Sequence, residues 1–224
     1  MITILIADSS LTLIPESIKK IIKGRELENY YIKFYGRFFD IFDVSVLPAG
    51  RRGTVRDPRY GRPDIVHRTI LSVTDHPLFK SGIVRLYMHT LDGKVFKFSS
   101  GVRPPRNYVR FLGLMSQLLR RGWVGPSMDR PLIQEVSTPV SKLVEDKEIV
   151  ILLDERGRLV DPLSFLAPLK DIDSTFIIGG FPEGDFSKEI LEMADIRLSL
   201  YEESLSSSTI ASMLLTYLYY LYRW

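Results

Sequence analysis

Short apolar runs alternate with helical patterns along the second half of the chain. The runs "EIVILL" and "TFIIGG" have the length and composition of buried strands, and "PLSFLAPL" between them has helical spacing. The alternation continues with a helix, a strand and a last helix in "FSKEILEMA", "IRLSLY" and "LSSSTIASMLLTYLYYLYRW". This order predicts an α/β fold in which a largely parallel sheet carries helices on both faces.

The first half of the chain combines one buried strand with three predicted helices. The strand is "ITILIA", and Asp8 is the first polar residue after it. Proline is favoured in a first helical turn, and glycine is favoured just after a last one. These signals place helices in "PESIKKIIK", "PDIVHRTILSV" and "RNYVRFLGLMSQLLRRG".

Two further stretches complicate this pattern. "IVRLYMHT" and "KVFKFS" alternate polar and apolar residues on either side of Leu91-Asp92-Gly93, which predicts a β-hairpin around residues 83–99 inserted into the scaffold. Residues 30–62 are first aromatic and then rich in arginine, glycine and proline. We expect an extended loop or insertion there, and long loops often carry function.

Size and composition indicate one domain spanning residues 1–224. The chain has 224 residues, and 45% of them are hydrophobic, which is enough for a substantial core. Cysteine is absent, which excludes disulfides, thiolate metal ligands and a cysteine nucleophile. His67 has no second ligand nearby in sequence, so we expect a core histidine and no metal site.

The termini predict no membrane segment. The start "MITILIADSS" lacks a basic leader and is typical of a strand. The apolar stretch from Thr209 to the end is shorter than the roughly 20 residues that span a bilayer, so a core or interface helix is expected. We expect a cytoplasmic protein.

The small net charge of +3 conceals an asymmetric distribution. Residues 94–128 contain seven lysines and arginines and no acid, whereas residues 171–204 contain nine acids and two bases. A basic half is typical of a protein that binds a polyanion. Ordinary solvated surface is the alternative.

Three arginines precede or begin one predicted helix in "RPPRNYVRFLGLM". Arg106 and Arg110 are four residues apart and would share a helix face, and Arg103 comes from the rigid Pro-Pro lead. Cations at a helix N-terminus are unfavourable unless an anion compensates them. The pattern predicts an anion site, and phosphodiester backbone suits this charge distribution best.

The stretch "IIGGFPEGDF" follows a predicted strand but lacks both common phosphate-binding glycine patterns. Glu183 and Asp185 would repel a phosphate and are compatible with a cationic or uncharged ligand. In an open α/β sheet, ligands bind outside the carboxyl ends of the strands. The residues after 153, 178 and 200 are therefore candidate pocket walls. A simple strand-to-helix connection is the alternative.

The stretch "GRPDIVH" brings an arginine and an acid to a helix start. Pro63 would open the helix, leaving Arg62 just outside it and Asp64 in its first turn. The alternative is an ordinary acidic first turn beside an unrelated arginine.

Taken in order, five motifs resemble one family. They are "ILIADSSLTLIP", "GRPDIVH", "RPPRNYVRFLGLMSQLL", "IIGGFPEGDF" and "IRLSLY" with its following helix. The chain resembles the ribosome-biogenesis pseudouridine N1-methyltransferases of the SPOUT superfamily over most of its length apart from residues 25–55. It departs from the family pattern at Glu183, where a histidine is usual, and at Ser204, where a proline is usual.

The resemblance implies a SPOUT-type parallel sheet with a C-terminal trefoil knot, an exception to the rule against threaded chains. It also implies a homodimer, S-adenosylmethionine as methyl donor and S-adenosylhomocysteine as product. The implied substrate is a pseudouridine in small-subunit ribosomal RNA, and ribosomal proteins are further candidate partners.

Carried over by motif, the resemblance assigns site residues. Those that would bind the cofactor are Leu153, Gly179, Gly180, Gly184, Leu198, Ser199, Leu200, Tyr201 and Leu205. Those that would bind RNA are Arg62, Arg103, Arg106 and Arg110. Asp64 matches the acid beside these arginines, and Arg62 and Asp64 are the candidate catalytic pair.

The role of Asp64 has two readings. It could accept the proton from the ring nitrogen, or it could orient Arg106 or Arg110. An acid among arginines should have a lowered pKa and be a weak base, which favours the orienting role.

Two other functions compete with methyl transfer. One is a ribosome-assembly factor in which RNA binding matters more than turnover. The other is a nucleotide-phosphate enzyme, which the acidic "PEGD" and the missing phosphate loop oppose.

Overall fold

Eight strands form one sheet. The structure, a computed structural model, describes residues 1–22 and 24–223. In chain order the strands are β1 (Ile2–Ser9), β2 (Val84–Thr90), β3 (Val95–Phe98), β4 (Trp123–Val124), β5 (Ile133–Val136), β6 (Ile149–Leu159), β7 (Ser174–Gly179) and β8 (Ile196–Ser199). Their spatial order is β4-β5-β3-β2-β1-β7-β6-β8.

The sheet is mixed, which corrects the prediction of a largely parallel sheet. The neighbours β2, β1, β7, β6 and β8 run parallel. β3, β5 and β4 extend the β2 edge in antiparallel order. The turn after β2 includes Gly93 with φ of 82°, and so short a connection can join only antiparallel neighbours. β4 and β5 are too short to give a clear sequence pattern.

Nine α-helices lie within the described residues. They are α1 (Glu16–Ile21), α2 (Gly24–Tyr35), α3 (Ala49–Arg52), α4 (Pro63–Thr74), α5 (Pro77–Lys80), α6 (Tyr108–Arg121), α7 (Pro162–Leu166), α8 (Lys188–Met193) and α9 (Ser207–Arg223). Short 3-10 turns span Val44–Val46, Val140–Leu143 and Ala167–Leu169. The last residue of each helix predicted in "PESIKKIIK" and "LSSSTIASMLLTYLYYLYRW" lies outside the described residues.

Helices cover both faces of the sheet, as predicted. Successive strand residues point to opposite faces, so Ile4 and Ile6 of β1 join one core while Leu5 and Ala7 join another. The larger core contains the buried faces of α4, α6 and α9, and the smaller one is closed by Ile190 of α8. No helix in the described ranges is long and apolar enough to cross a membrane.

Helix α4 begins as the sequence predicts. Pro63 occupies its first turn, and Val66, Ile70 and Val73 are fully buried. His67 is buried as expected, and its Nε2 lies 2.8 Å from the carbonyl oxygen of Pro105. Burial lowers the pKa of His67, so the neutral ring is favoured at neutral pH.

Helix α6 begins two residues later than predicted. Asn107 is its N-cap, because its side-chain oxygen accepts a hydrogen bond of 3.1 Å from the backbone N–H of Arg110. Arg106 therefore precedes the helix, and the prediction that it shares a helix face with Arg110 is wrong. The helix ends at Gly122, which has φ of 78°, as the sequence predicts.

The segment expected to be an extended loop is partly helical. α2 continues through Tyr35, with Leu27 and Tyr31 buried, and α3 interrupts the remainder. The aromatic residues read from the sequence as irregular thus belong largely to an amphipathic helix. The chain then returns to α4 through Gly61, where φ is 81° and a Cβ would lie 2.9 Å from that of Val44.

The strand order creates a crevice at one edge of the sheet. The chain passes from β6 to β7 on one side of β6 and then to β8 on its other side. Connections that leave neighbouring parallel strands in opposite directions separate at the carboxyl ends of those strands. The segments after β6, β7 and β8 therefore surround a recess.

Candidate active site

A cavity of about 390 Å³ opens at the carboxyl ends of β6, β7 and β8. It is lined by residues from four segments: 153–156, 178–186, 198–200 and 203–210. This volume lies within the range of small-molecule sites. The sequence analysis expected pocket walls after residues 153, 178 and 200, and the cavity lies there.

Most of the predicted cofactor residues line this cavity. They are Leu153, Gly179, Gly184, Leu198, Ser199, Leu200 and Leu205. Gly180 and Tyr201 are not among its lining residues. A Cβ at Gly180 would lie 2.7 Å from Ser9 Oγ, so this glycine instead permits close packing of the ends of β1 and β7. The Tyr201 side chain is 48% exposed, and its carbonyl oxygen accepts a hydrogen bond from Ser199 Oγ at 2.6 Å.

A glycine inside β6 shapes one wall. The pairing of β6 with β8 shifts register between Leu153 and Arg158. A Cβ at Gly157 would lie 2.5 Å from the backbone of Leu198, closer than real Cβ contacts allow. Gly157 therefore lets the bulged part of β6 cross β8 and hold residues 153–156 beside the cavity.

Two aromatic rings support the loop after β7. Phe181 and Phe186 pack edge to face, with ring centroids 5.1 Å apart. Both rings line the cavity. A Cβ at Gly179 would lie 3.1 Å from the ring of Phe181 and 3.2 Å from that of Phe186, so the absence of a side chain lets both rings approach.

Paired charges hold the outer side of this loop. The Arg156 guanidinium donates to Asp185 at 2.5 Å and to Asp154 at 3.3 Å. Arg197 donates to the buried carboxylate of Asp154 at 2.5 Å. Burial would raise the pKa of Asp154, but hydrogen bonds from the Arg156 backbone and side chain and from Arg197 outweigh it and lower that pKa. Asp185 is thus engaged by arginine and is not a lining residue of the cavity.

Three glutamates give the cavity rim its negative charge. Glu155, Glu183 and Glu203 line the cavity and are exposed. Within the described part of the chain, none of the three has an ion-pair partner within 4.0 Å. Arg156 is the cation among the lining residues, and its charge is already engaged by Asp154 and Asp185.

A buried carboxylate supports the same loop from behind. Asp8 is 1% exposed and has φ of 48° at the end of β1. Its Oδ2 accepts a hydrogen bond of 2.6 Å from the backbone N–H of Ser187, and its Oδ1 accepts one of 3.1 Å from Ser187 Oγ. Burial would raise the pKa of Asp8, but contacts with His89 and Ser187 outweigh it and lower that pKa. The ionised Asp8 therefore ties the exit of the cavity loop to β1.

Arg59 reaches the same loop from the segment before α4. Its Nη1 lies 3.8 Å from Asp8 Oδ2, and its Nη2 donates to Asp57 at 2.8 Å. Gly184 has φ of 106°, and a Cβ there would lie 3.2 Å from the Arg59 side chain. The segment expected to be a long loop thus helps to fix the predicted cofactor loop.

A second cavity, of about 410 Å³, contains the predicted catalytic pair. Arg62 and Asp64 line it together with Arg52, Tyr108 and residues 43–45. Arg62 donates to both carboxylate oxygens of Asp64, at 2.8 and 3.0 Å. This two-point contact fixes the Arg62 guanidinium relative to the start of α4.

Asp64 orients a different arginine from those expected. It pairs with Arg62 and with Arg68, the latter at 2.8 Å, and not with Arg106 or Arg110. The reason is local, since Arg62 is the N-cap of α4, two residues before Asp64, and Arg68 lies one helical turn after it. Burial would raise the pKa of Asp64, but Arg62 and Arg68 outweigh it and lower that pKa, in the predicted direction.

A buried acid closes the floor of this cavity. Asp43 Oδ2 accepts hydrogen bonds from the hydroxyls of Tyr35 and Tyr108, at 2.6 and 2.7 Å. Its Oδ1 accepts from the Ser45 backbone at 2.9 Å. Burial and the charge of Asp43 raise the pKa of Tyr108, which stays a neutral donor. Tyr108 is therefore part of a hydrogen-bonded network centred on the buried Asp43.

The three other predicted RNA-binding arginines do not converge. Arg103, Arg106 and Arg110 are exposed. Arg106 pairs with Asp75 at 3.0 Å and is 81% exposed. Over the described residues, no hydrogen bond or ion pair links these side chains through a shared partner.

The sequence analysis missed several supporting residues. Arg197 reaches Asp154 only because β6 and β8 are neighbours, and Asp8 reaches Ser187 across most of the chain. Gly157 did carry a signal, because a lone glycine inside a strand pattern marks a bulge.

Comparison with known proteins identifies a family. A family model described as EMG1/NEP1 methyltransferase matches residues 4–218. Ribosomal RNA small subunit methyltransferase Nep1 of Staphylothermus marinus is 34% identical over 92% of this chain and 90% of its own. The protein of the same name from Methanothrix thermoacetophila is 35% identical over 96% and 94%.

A solved structure is similar over the whole chain. The crystal structure of Archaeoglobus fulgidus Nep1 bound to S-adenosylhomocysteine has a TM-score of 0.83 and 29% identity, covering 99% of both chains. The match of the family model over most of the chain confirms the resemblance drawn from the motifs. The chain belongs to the EMG1/NEP1 methyltransferase family.

Proposed function

We propose that this protein uses S-adenosylmethionine to methylate N1 of a pseudouridine in small-subunit ribosomal RNA during ribosome biogenesis. The observation that carries the proposal is the cavity at the ends of β6, β7 and β8, which most of the predicted cofactor residues line. The names of the relatives support ribosomal RNA as the substrate class. The S-adenosylhomocysteine in the similar solved structure supports the cofactor.

The size and charge of the cavity fit this cofactor. S-adenosylmethionine has a neutral adenosine and a cationic sulfonium, and it carries no phosphate. Apolar side chains of Ile178, Leu198 and Leu200 offer a wall for the adenine, and Gly179 leaves backbone accessible beside them. The carboxylates of Glu155, Glu183 and Glu203 favour a cation and disfavour a phosphate. A nucleotide-phosphate substrate is therefore disfavoured.

Within this proposal the chain acts mainly by positioning. Bound S-adenosylmethionine supplies a methyl group activated by the sulfonium. The loop from Gly179 to Phe186 is fixed by Asp8, Arg59 and Arg156, so it would hold the donor with little reorganisation. Aligning donor and acceptor in a fixed geometry supplies much of the rate of such a transfer.

Arg62 and Asp64 are proposed to act on the RNA. The lowered pKa of Asp64 keeps it ionised and makes it a weak proton acceptor at neutral pH. We assign it the role of orienting Arg62, with the ring proton leaving to water. Arg62, Arg103, Arg106 and Arg110 would bind phosphates around a base that is already unpaired or flipped out of a loop.

The two cavities have no lining residue in common within one chain. A pseudouridine held near Arg62 must therefore reach a cofactor cavity across the surface of one chain or across a subunit interface. Mixing an Arg62→Ala chain with a chain defective in the cofactor cavity distinguishes these routes. Recovery of activity on mixing would favour the interface route.

The remaining parts of the proposal rest on family membership. The chain would form a single domain with a C-terminal trefoil knot, and the β2–β3 pair would be an insertion into it. The protein would be a cytoplasmic homodimer that meets ribosomal proteins on the nascent small subunit. Size-exclusion chromatography with light scattering tests the dimer.

An RNA-binding assembly factor without turnover is the main alternative. It would be favoured if side chains closed the loop after β7, yet Phe181 and Phe186 leave a cavity of about 390 Å³. Titration calorimetry with S-adenosylmethionine separates the alternatives. We expect saturable binding at one site per chain, which Gly157→Ala should weaken by up to about 100-fold. Absence of binding would contradict the methyltransferase proposal, and binding of nucleoside triphosphate instead would favour a phosphate enzyme.

A further inference from the structure

We infer that a third cavity, between residues 37–39 and helix α6, binds a phosphodiester group of the RNA, with Arg37 as an anion contact supplied by a segment outside the family motifs. This inference rests on the proposed RNA substrate. It extends the RNA-binding surface beyond Arg62, Arg103, Arg106 and Arg110 to a segment that none of the five family motifs covers.

The chemistry of this cavity suits an anion. It has a volume of about 390 Å³, and its lining residues are Arg37, Phe39, Asn107, Val109, Arg110 and Gly113. It thus contains two arginines and no carboxylate. Neither guanidinium forms an ion pair or hydrogen bond with another residue in the described ranges, and both side chains are exposed. Two uncompensated cations beside the first turn of a 14-residue helix favour a bound anion.

The neighbouring cavity at Asp64 differs in charge, because acids balance its arginines. Its two arginines, Arg52 and Arg62, are balanced by Asp43 and Asp64. Its two carboxylates would repel a phosphate, whereas they would not repel an uncharged nucleobase. Asn107 lines the third cavity, and the next residue, Tyr108, lines the cavity at Asp64. The third cavity would then contact the RNA phosphate backbone, and the cavity at Asp64 would contact a base.

The fold holds Arg37 against α6 through the residues that follow it. Gly36, with φ of 67°, turns the chain after α2. Phe39 packs on the bare surface of Gly113, where a Cβ would lie 3.1 Å from its ring. Asp40 then accepts a hydrogen bond of 2.6 Å from Arg120 and another from Ser116. These contacts place the Arg37 backbone beside α6 before any RNA binds.

The experiment measures how RNA affinity depends on salt. Binding of a fluorescein-labelled RNA hairpin, carrying a pseudouridine in its loop, is followed by anisotropy between about 50 and about 300 mM KCl. Each phosphate contact contributes about 0.7 to 0.9 to the slope of log affinity against log salt. Arg37→Ala should lower the magnitude of that slope by about 0.7 to 0.9, the contribution of one phosphate contact. Arg37→Lys should restore most of the slope because the positive charge returns.

A matched control comes from the same segment. Arg25 is also exposed, and it lies on the first turn of α2 at the far end from Arg37. Arg25→Ala makes the same change of net charge and should leave the slope unchanged. Calorimetric binding of S-adenosylmethionine reports whether each variant remains folded.

Three outcomes are informative. A reduced slope for Arg37→Ala alone, with unchanged cofactor binding, supports the inference. Equal slopes for wild type, Arg37→Ala and Arg25→Ala would overturn it while leaving the RNA-binding function intact. Failure of the wild-type protein to bind the hairpin would overturn the RNA substrate itself, and the inference with it.

Discussion

The cofactor cavity differs in construction from the arginine surface, which is the surface that carries Arg62, Arg103, Arg106 and Arg110. The cavity at the ends of β6, β7 and β8 is formed by apolar side chains, glycines and two aromatic rings, with glutamates at its rim. Its loop is held on both sides by ionised contacts, at Asp8 and at Arg156. The arginine surface consists of exposed side chains, some paired with nearby acids and others without a partner in the described ranges.

This difference indicates two modes of recognition. A small rigid ligand is bound best by a preformed site, because little ordering entropy is lost on binding. A flexible polyanion can order exposed arginines as it binds, and its affinity then depends on salt. We therefore expect shape changes to damage cofactor binding and charge changes to damage RNA binding.

The largest effect should come from a single methyl group in the cavity wall. Gly157→Ala places a Cβ where the structure leaves 2.5 Å to the backbone of Leu198. Overpacking against backbone costs about 1–3 kcal/mol, so the affinity for S-adenosylmethionine should fall by up to about 100-fold in calorimetry.

Gly53→Ala is the matched control for that variant. Gly53 has φ of −67°, and a Cβ there would meet nothing within 4 Å. Its cofactor affinity should equal that of wild type. Unchanged affinity in Gly157→Ala would show that the β6 bulge does not form a wall of the site.

A smaller effect is expected when the buried support of the loop is weakened. Asp8→Asn removes the charged acceptor for the Ser187 backbone N–H. Hydrogen bonds to charged groups contribute about 1.5–3 kcal/mol, so the free energy of unfolding should fall by about that amount. The cofactor affinity should fall about tenfold, as measured by calorimetry.

The contribution of Asp8 to the free energy of unfolding should depend on pH. The pKa of Asp8 is lower in the folded state than in the unfolded chain, so its stabilisation is complete above about pH 4. It is lost as the pH falls through the lower folded pKa. Urea unfolding should show a full difference between wild type and Asp8→Asn at neutral pH and a shrinking difference in acid. A constant difference at all pH values would contradict the role of the ionised form.

Asp64→Asn should weaken RNA binding moderately and leave cofactor binding unchanged. Asp64→Asn loosens Arg62, and Asp64 is 34% exposed, so solvent screening limits the loss. The KM for the RNA should rise by about fivefold while kcat stays nearly constant between about pH 6 and pH 9. Loss of kcat with a new pH dependence would instead identify Asp64 as the proton acceptor.

The smallest effect should follow from the outer ion pair of the loop. Arg156→Gln removes contacts to Asp185 and Asp154, but the Arg156 side chain is 51% exposed. Exposed ion pairs contribute about 0–1 kcal/mol, so the cofactor affinity should change by about twofold or less. A tenfold loss would mean that Arg156 contacts the ligand itself.

The sequence predicted the part of the site that depends on consecutive residues. The pocket walls after residues 153, 178 and 200 follow from locating strand ends, because ligands bind at the carboxyl ends of parallel strands. Single residues such as Leu198 came from the family resemblance. The predicted partner of Asp64 was wrong, since Asp64 pairs with Arg62, two residues before it, and Arg68, four residues after it, and not with Arg106 or Arg110.

Contacts between distant residues were beyond sequence reasoning. Asp8 and Ser187 are 179 positions apart, and their hydrogen bond depends on β1 and β7 being neighbours. No local periodicity contains that information. The antiparallel edge of the sheet was underestimated for a related reason, because β4 and β5 are only two and four residues long.

The central claim is that the cavity supplies a methyl group to a pseudouridine bound at the arginine surface. The most direct test incubates the protein with S-adenosylmethionine and two RNA hairpins that differ only in having uridine or pseudouridine at one loop position. Nuclease digestion and mass spectrometry then locate any added methyl group. The account predicts one methyl group on N1 of pseudouridine and none on the uridine hairpin. Equal methylation of both hairpins, or methylation of neither while S-adenosylmethionine binds, would contradict it.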